Sequence, residues 1–186
     1  MKIGISGCSS QGKTTLINAL INEPLFTDYT FCKSPGRIVQ SEINENGNDL
    51  TQLLIMTEHY KNYGISNNVV FDRCALDCMA YGMANLFRKF KEGKEIDEEF
   101  NSNVIFPLYL WLMRRYDAIF YLAPELPVVS DGVRSSDLQY FAEVTSSFNT
   151  LIKEQSNFPT ECQIITIKGS VQKRVESILD FIKESQ

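Results

Sequence analysis

The eight residues Gly7-Cys8-Ser9-Ser10-Gln11-Gly12-Lys13-Thr14 constrain this chain more than any other segment, because they match G-x-x-x-x-G-K-[ST] in full. Their surroundings fit the motif. Lys2 to Ser6 reads as a short strand running into the turn, and Lys13 to Asn22 reads as the helix leaving it, stopped by Pro24. Each part has a physical job. The glycines let the backbone turn tightly, so that its N–H groups point inward at phosphate oxygens. The following helix adds the positive end of its dipole. Lys13 places a point charge between β- and γ-phosphates, and Thr14 offers a hydroxyl to magnesium. Ser9, Ser10 and Gln11 complete the cradle. Thr15 is grouped with them, although it lies one place beyond the motif and reads as structural. The segment implies ATP and Mg2+ as ligands.

The rest of the chain supplies a scaffold for such a loop. Tyr29 to Lys33 reads as a second strand, followed by the turn Ser34-Pro35-Gly36. Leu50, Leu53 and Leu54 open a helix that ends near Gly64. Val69-Val70-Phe71 is a β-branched and aromatic run typical of a buried strand. Leu76, Met79, Ala80, Met83, Phe87 and Phe90 recur at helical spacing, and Val104, Leu108, Trp111 and Leu112 mark another helix. Ala118 to Leu122 is an apolar strand. Leu138, Phe141, Thr145, Phe148 and Ile152 then mark a helix, Ile164 to Ile167 a strand, and Val171, Val175, Ile178 and Ile182 a last helix. Strands alternating with helices predict a parallel sheet covered on both faces. The expectation is a three-layer α/β domain with five strands, spanning 1–186.

Composition narrows the partners. A net charge of −5 and a pI near 5.0 argue against a protein whose main task is gripping a nucleic-acid backbone, while leaving room for a local basic cleft. Cys8, Cys32, Cys74, Cys78 and Cys162 form no C-x-x-C pair, and with His59 as the one histidine a zinc cage is not expected. Scattered single cysteines suit a reducing cytoplasm. The apolar stretch Ile3 to Ile5 is broken by glycine, unlike a signal peptide, and no run approaches the ~20 apolar residues of a membrane span. A soluble cytoplasmic protein with no membrane partner is expected, and a homodimer is compatible with this reading.

Further residues point to an acceptor. The strand at Val69 delivers Asp72-Arg73 at its carboxyl end, where open parallel sheets bind ligands. A carboxylate there can orient magnesium or accept the proton of an acceptor hydroxyl, and Arg73 can grip an anionic group. The bland alternative makes Asp72 a helix cap and Arg73 a solvated surface residue. After the strand Ala118 to Leu122, the stretch 124–137 carries loop chemistry and a lone arginine. It reads as a lid, with Arg134 covering the transferring phosphate; the alternative is an ordinary turn with Ser136 or Asp137 capping the next helix. Lys33 and Arg37 flank Ser34-Pro35-Gly36 and are substrate-binding candidates. Arg88, Lys89, Lys91 and Lys94 read as favourable charge near a helix C-terminus, and His59 as a surface or packing residue.

Gly7 to Thr14, Phe71-Asp72-Arg73 and Asp131-Gly132-Val133-Arg134 occur in the order seen in P-loop nucleoside and nucleotide kinases. With Tyr121 to Glu125 included, the chain most resembles the AAA-type ATPase/kinase family that contains nicotinamide-riboside kinase domains and phage-encoded kinases. The resemblance covers nearly the whole chain. It implies strand order 2-3-1-4-5, ATP as donor, a small nucleoside or nucleotide acceptor, and Asp72 near the acceptor hydroxyl or magnesium. Such lids often carry several arginines, whereas this one has Arg134 alone. Two other functions compete. One is a kinase for a hydroxyl in DNA or RNA, at a terminus or on a modified base such as a hydroxymethyl pyrimidine. The other is a non-kinase P-loop ATPase. A guanine-specific switch would normally show N-K-x-D, and that tetrapeptide does not occur.

Overall fold

Period-two alternation of apolar side chains builds the centre of this protein. In the computed structural model, which describes residues 1–37, 49–127, 137–158 and 160–185, five strands form one parallel sheet. They are Lys2–Ser6 (β1), Thr30–Cys32 (β2), Val69–Asp72 (β3), Ala118–Leu122 (β4) and Gln163–Ile167 (β5), in the order β2-β3-β1-β4-β5. β1 lies in the middle, pairing Ile5 with Asp72 on one side and with Phe120 on the other. That register sets the carboxyl end of β3 beside the start of the phosphate loop.

The helices are Lys13–Leu20 (α1), Asp49–Tyr63 (α2), Ala75–Lys91 (α3), Glu98–Phe100 (α4), Phe106–Met113 (α5), Leu138–Lys153 (α6) and Val171–Glu184 (α7). A π-helical turn, Asn101–Ile105, joins α4 to α5. One face of the sheet presents Ile3, Ile5, Val70, Phe120 and Leu122 to Leu16 and Leu20 of α1 and to Val175, Ile178 and Ile182 of α7. The other presents Val69, Phe71, Ile119 and Tyr121 to α2, α3, α5 and α6. Gly4 faces that second side. A Cβ there would stand 2.9 Å from Cys74 Cβ, so its missing side chain lets the α3 entrance lie directly on β1. Strands buried on both faces are what an α/β sheet with crossover helices requires.

The strands and α7 match the sequence reading closely, and two helical stripes differ. Phe87 and Phe90, expected in the core, are 56% and 76% exposed. The buried residues of α3 run from Ala75 to Asn85. The last turns are held instead by polar contacts, with Arg88 donating to Asp137 (2.8 Å) and Glu143 (2.5 Å). On α6 the buried residues are Tyr140, Val144, Ser147, Phe148 and Leu151, while Leu138 is exposed. The stripe turns because Tyr140 and Ser147 bury their apolar bodies while their hydroxyls donate to Asn85 and to the Glu143 carbonyl. Asp137 caps α6, accepting from the N–H groups of Gln139 and Tyr140. Helix α1 ends at Leu20, two residues before Asn22. Among the described residues no helix is long and apolar enough to cross a membrane.

Candidate active site

The phosphate loop takes the backbone shape its glycines permit. Gly7 has φ 140°, and a Cβ there would meet the Leu122 carbonyl oxygen at 2.8 Å, so neither the conformation nor the space admits a side chain. Ser10 and Gly12 also have positive φ, at 63° and 82°, and Gly12 opens α1. Lys13 is buried. Its ammonium donates to the carbonyls of Gly7 and Cys8, both at 2.6 Å, and so lies folded along the loop. Burial and the neighbouring Arg73 charge lower its pKa to about 7, against the opposing pull of Asp77 and Asp72. Thr14 and Thr15 are exposed on the first turn of α1.

Gln11 does something the motif does not reveal. Its side chain is fully buried and accepts from the N–H groups of Glu125 (2.8 Å) and Leu126 (2.9 Å). It also donates to the Leu126 carbonyl at 2.9 Å. Arg174, near the start of α7, donates to the Gln11 carbonyl at 2.8 Å and to the Glu125 carboxylate at 2.9 Å. That carboxylate accepts from Gly169 N–H as well, at 2.8 Å. The hydrogen bonds from Gly169 and Arg174 hold the Glu125 pKa below the ordinary carboxylate value. The clamp fixes the loop to residues 124–127, the start of the proposed lid. Arg134 itself lies outside the described residues.

Across β1, the end of β3 carries the acceptor candidates. Asp72 is half-buried and its carboxylate makes no hydrogen bond or ion pair among the described residues, so it is not the cap of α3. Arg73 adopts φ 71°, unusual for a bulky side chain. Its N–H donates to the Ile5 carbonyl at 2.9 Å, its Nη1 donates to Asp77 at 3.1 Å, and its guanidinium lies 5.2 Å from the Tyr81 ring centre. It is therefore anchored rather than solvated. Asp77, 3% exposed, also accepts from Cys74 N–H at 3.0 Å and Gly7 N–H at 3.4 Å. Tyr81 stands 3.2 Å from the Ser9 hydroxyl. Asp77 and Tyr81 were not singled out from the sequence. The available signal was an acid three residues after the helix start, where a side chain reaches back to free N–H groups.

Two cavities lie against the helices of the second face. One of about 470 Å³ opens at the carboxyl ends of β4 and β5 against α6, with Glu125, Asn149, Lys153 and Lys168 on its walls. The other, about 290 Å³, lies between α2, α3 and the π-helical turn, with Gln52, Met79, Asn85, Asn101 and Tyr109 on its walls. Gln52 sequence reasoning also missed. Lys33 is exposed beyond β2, and the side chain of Arg37 lies outside the described residues. His59 is buried with neither ring nitrogen bonded among the described residues. Its ring centre is 6.5 Å from that of Phe71, and burial lowers its pKa to about 4, so it packs as a neutral ring. Arg88 is committed to Asp137 and Glu143 and also lies over the Tyr140 ring.

A parallel sheet in the order 2-3-1-4-5 with a glycine-shaped loop between its central strand and α1 defines a P-loop nucleotide-binding protein. An AAA-domain family model matches residues 2–174, and the chain belongs to that family. Comparison with curated protein sequences finds no match. Among solved structures, the chain is similar to thymidylate kinase from Candida albicans, at 14% identity and TM-score 0.66, over 99% of this chain and 91% of that one. It is similar to deoxyadenosine kinase from M. mycoides with dCMP and dCDP, at 17% identity and TM-score 0.68, over 100% of both chains. It also resembles the YorR protein of Bacillus subtilis, in complex with phosphorylated GDP, at 15% identity and TM-score 0.55, over 98% and 96%. Its fold is the one these P-loop kinases share.

Proposed function

We propose that this protein is a kinase that uses ATP with Mg2+ to phosphorylate a nucleoside or nucleotide in the cytoplasm. The observation that carries the reading is a complete phosphate loop with an uncommitted carboxylate, Asp72, at the end of the neighbouring strand. The similarity to thymidylate and deoxyadenosine kinases supports it. In this reading the N–H groups of residues 7–14 hold the donor phosphates, and Lys13 swings from the Gly7 and Cys8 carbonyls to the β- and γ-phosphates. The exposed Thr14 hydroxyl and the free Asp72 carboxylate fit a magnesium ion, which when bound neutralises charge developing on the leaving diphosphate. In this reading Asp72 either orients that ion through water or accepts the proton of the acceptor hydroxyl. The donor's base takes the cleft over β4 and β5, and the acceptor the cavity walled by Gln52 and Asn101. Lys33 and Arg37 are the further substrate-binding residues of this reading. Arg134 closes over the transferring phosphate from the lid at 124–137.

The test is incubation with γ-labelled ATP and a panel of nucleosides, monophosphates, DNA and RNA. The expected product is a labelled small nucleotide. Label in a polynucleotide moves the assignment to a nucleic-acid kinase, and release of inorganic phosphate alone to a non-kinase ATPase.

A further inference from the structure

We infer that the acceptor is an uncharged nucleoside, phosphorylated on its hydroxyl, and not a nucleoside monophosphate; this rests on the kinase reading above. The first observation is the state of Arg73. A monophosphate acceptor calls for a guanidinium free to take its phosphate. Here Arg73 is already paired with Asp77 at 3.1 Å. Asp77 is buried and pinned by the N–H groups of Cys74 and Gly7, so it cannot swing aside to release its partner. Removing one member of a buried pair leaves the other charge uncompensated, which is strongly unfavourable. With Asp72 and Lys13 included, the end of β3 and the start of α3 bring two carboxylates beside two cations, a cluster balanced without a phosphate. A phosphate monoester, close to doubly charged at neutral pH, would there compete with Asp77 for Arg73 and with the donor phosphates for Lys13.

The second observation is the cavity. Among the described residues none of its walls carries a charged side chain. Its polar groups are the amides of Gln52, Asn85 and Asn101 and the hydroxyls of Ser102 and Tyr109. Gln52 is 5% exposed and makes no hydrogen bond among the described residues, so a buried amide stands open to the cavity. Amides and hydroxyls read the donor and acceptor edges of a neutral heterocycle and its sugar hydroxyls. The π-helical turn places Asn101, Ser102 and Ile105 on the wall, and such insertions recur at functional sites. Met79, on the same wall, follows Ala75 by about 6 Å of helix rise.

In the transfer, the acceptor's hydroxyl oxygen forms a bond to the γ-phosphorus and the bond from that phosphorus to the β–γ bridging oxygen breaks. ADP leaves with the electron pair, and the hydroxyl proton passes to Asp72.

The experiment compares each common nucleoside with its own 5′-monophosphate as acceptor, using the full chain and Mg-ATP. At least one nucleoside should be used with kcat/KM about 10²-fold above its monophosphate. A second arm repeats the pair in Asp77→Asn, which keeps an acceptor oxygen but removes the charge holding Arg73. Asp77→Ser, a smaller cap, serves if the first variant unfolds early. Either variant should move the preference toward the monophosphate by about tenfold, a change in selectivity that general loosening would not give. A monophosphate preferred by the parent overturns the inference and leaves the kinase reading standing. ATP consumption with no product from either class overturns both.

Discussion

In the proposed reading the donor and acceptor sides of this site sit on neighbouring strands yet are made of different material. Around the phosphate loop most of the working groups in that reading are backbone N–H, joined by the side chains of Lys13 and Thr14, while Gln11 holds the loop in shape. Gln11 binds the backbone of residues 125 and 126, and Lys13 lies along its own loop. Beyond β3 that reading relies on side chains from the strand end and from the helices α2 and α3. Asp72 and Gln52 are uncommitted among the described residues, and Arg73 is aimed by Asp77. Chemistry done by the backbone needs particular residues at fixed spacing. Chemistry done by side chains can be assembled from any elements the fold brings together.

Removing Lys13 should have the largest effect. Lys13→Ala is expected to lower single-turnover transfer by at least ~10³-fold, because the transition-state charge on the phosphates loses its partner. Cooperative thermal unfolding should persist, and near-parental turnover would show that the loop does not hold the transferring phosphate.

Gln11→Ala tests whether the loop is held from outside. Two N–H groups, of Glu125 and Leu126, lose their acceptor. At about 1–3 kcal/mol for each unsatisfied group, chemical denaturation should report a loss of roughly 3 kcal/mol. An unchanged midpoint would mean that water replaces the amide.

Asp72→Asn addresses the other side, keeping the shape while removing basicity. Transfer at saturating ATP should fall by about 10²-fold while ATP affinity holds. A parental rate would place proton acceptance on a different group.

The smallest effect is a proton count. Without nucleotide, Lys13 has its pKa near 7, so at pH 8 it is mostly neutral. Bound phosphates favour the charged form, so Mg-ATP binding at pH 8 should take up roughly 0.9 proton, and almost none at pH 6. Calorimetry in buffers of different ionisation enthalpy measures this. Uptake that persists in Lys13→Ala would assign the proton to another group.

The fold was largely legible because its signals are local. Val69 to Phe71 and Ala118 to Leu122 are apolar runs too short for helices, and Val171, Val175, Ile178 and Ile182 keep one face of α7. Phe87 and Phe90 misled because period alone does not reveal where a helix stops touching the sheet. In the site, the loop was readable since its glycines answer to the backbone turn and its other motif positions stand at fixed spacing from them. Asp77 was not, because its part depends on Arg73 adopting a positive φ and on Gly7 lying alongside. Gln52 was hidden for a similar reason. A polar residue on a helix reads as solvated until α3 and the π-helical turn close over it.

The contact between Arg174 and the Gln11 carbonyl spans 163 residues of chain. During synthesis the loop leaves the ribosome long before the helix that braces it. At about 5–20 residues per second the gap is on the order of 10–30 s. Throughout that interval the nascent loop lacks its brace and Glu125 lacks its guanidinium partner. The capacity to handle nucleotide should therefore arrive late and abruptly, once α7 docks, so that an unfinished chain holds the motif without its working shape.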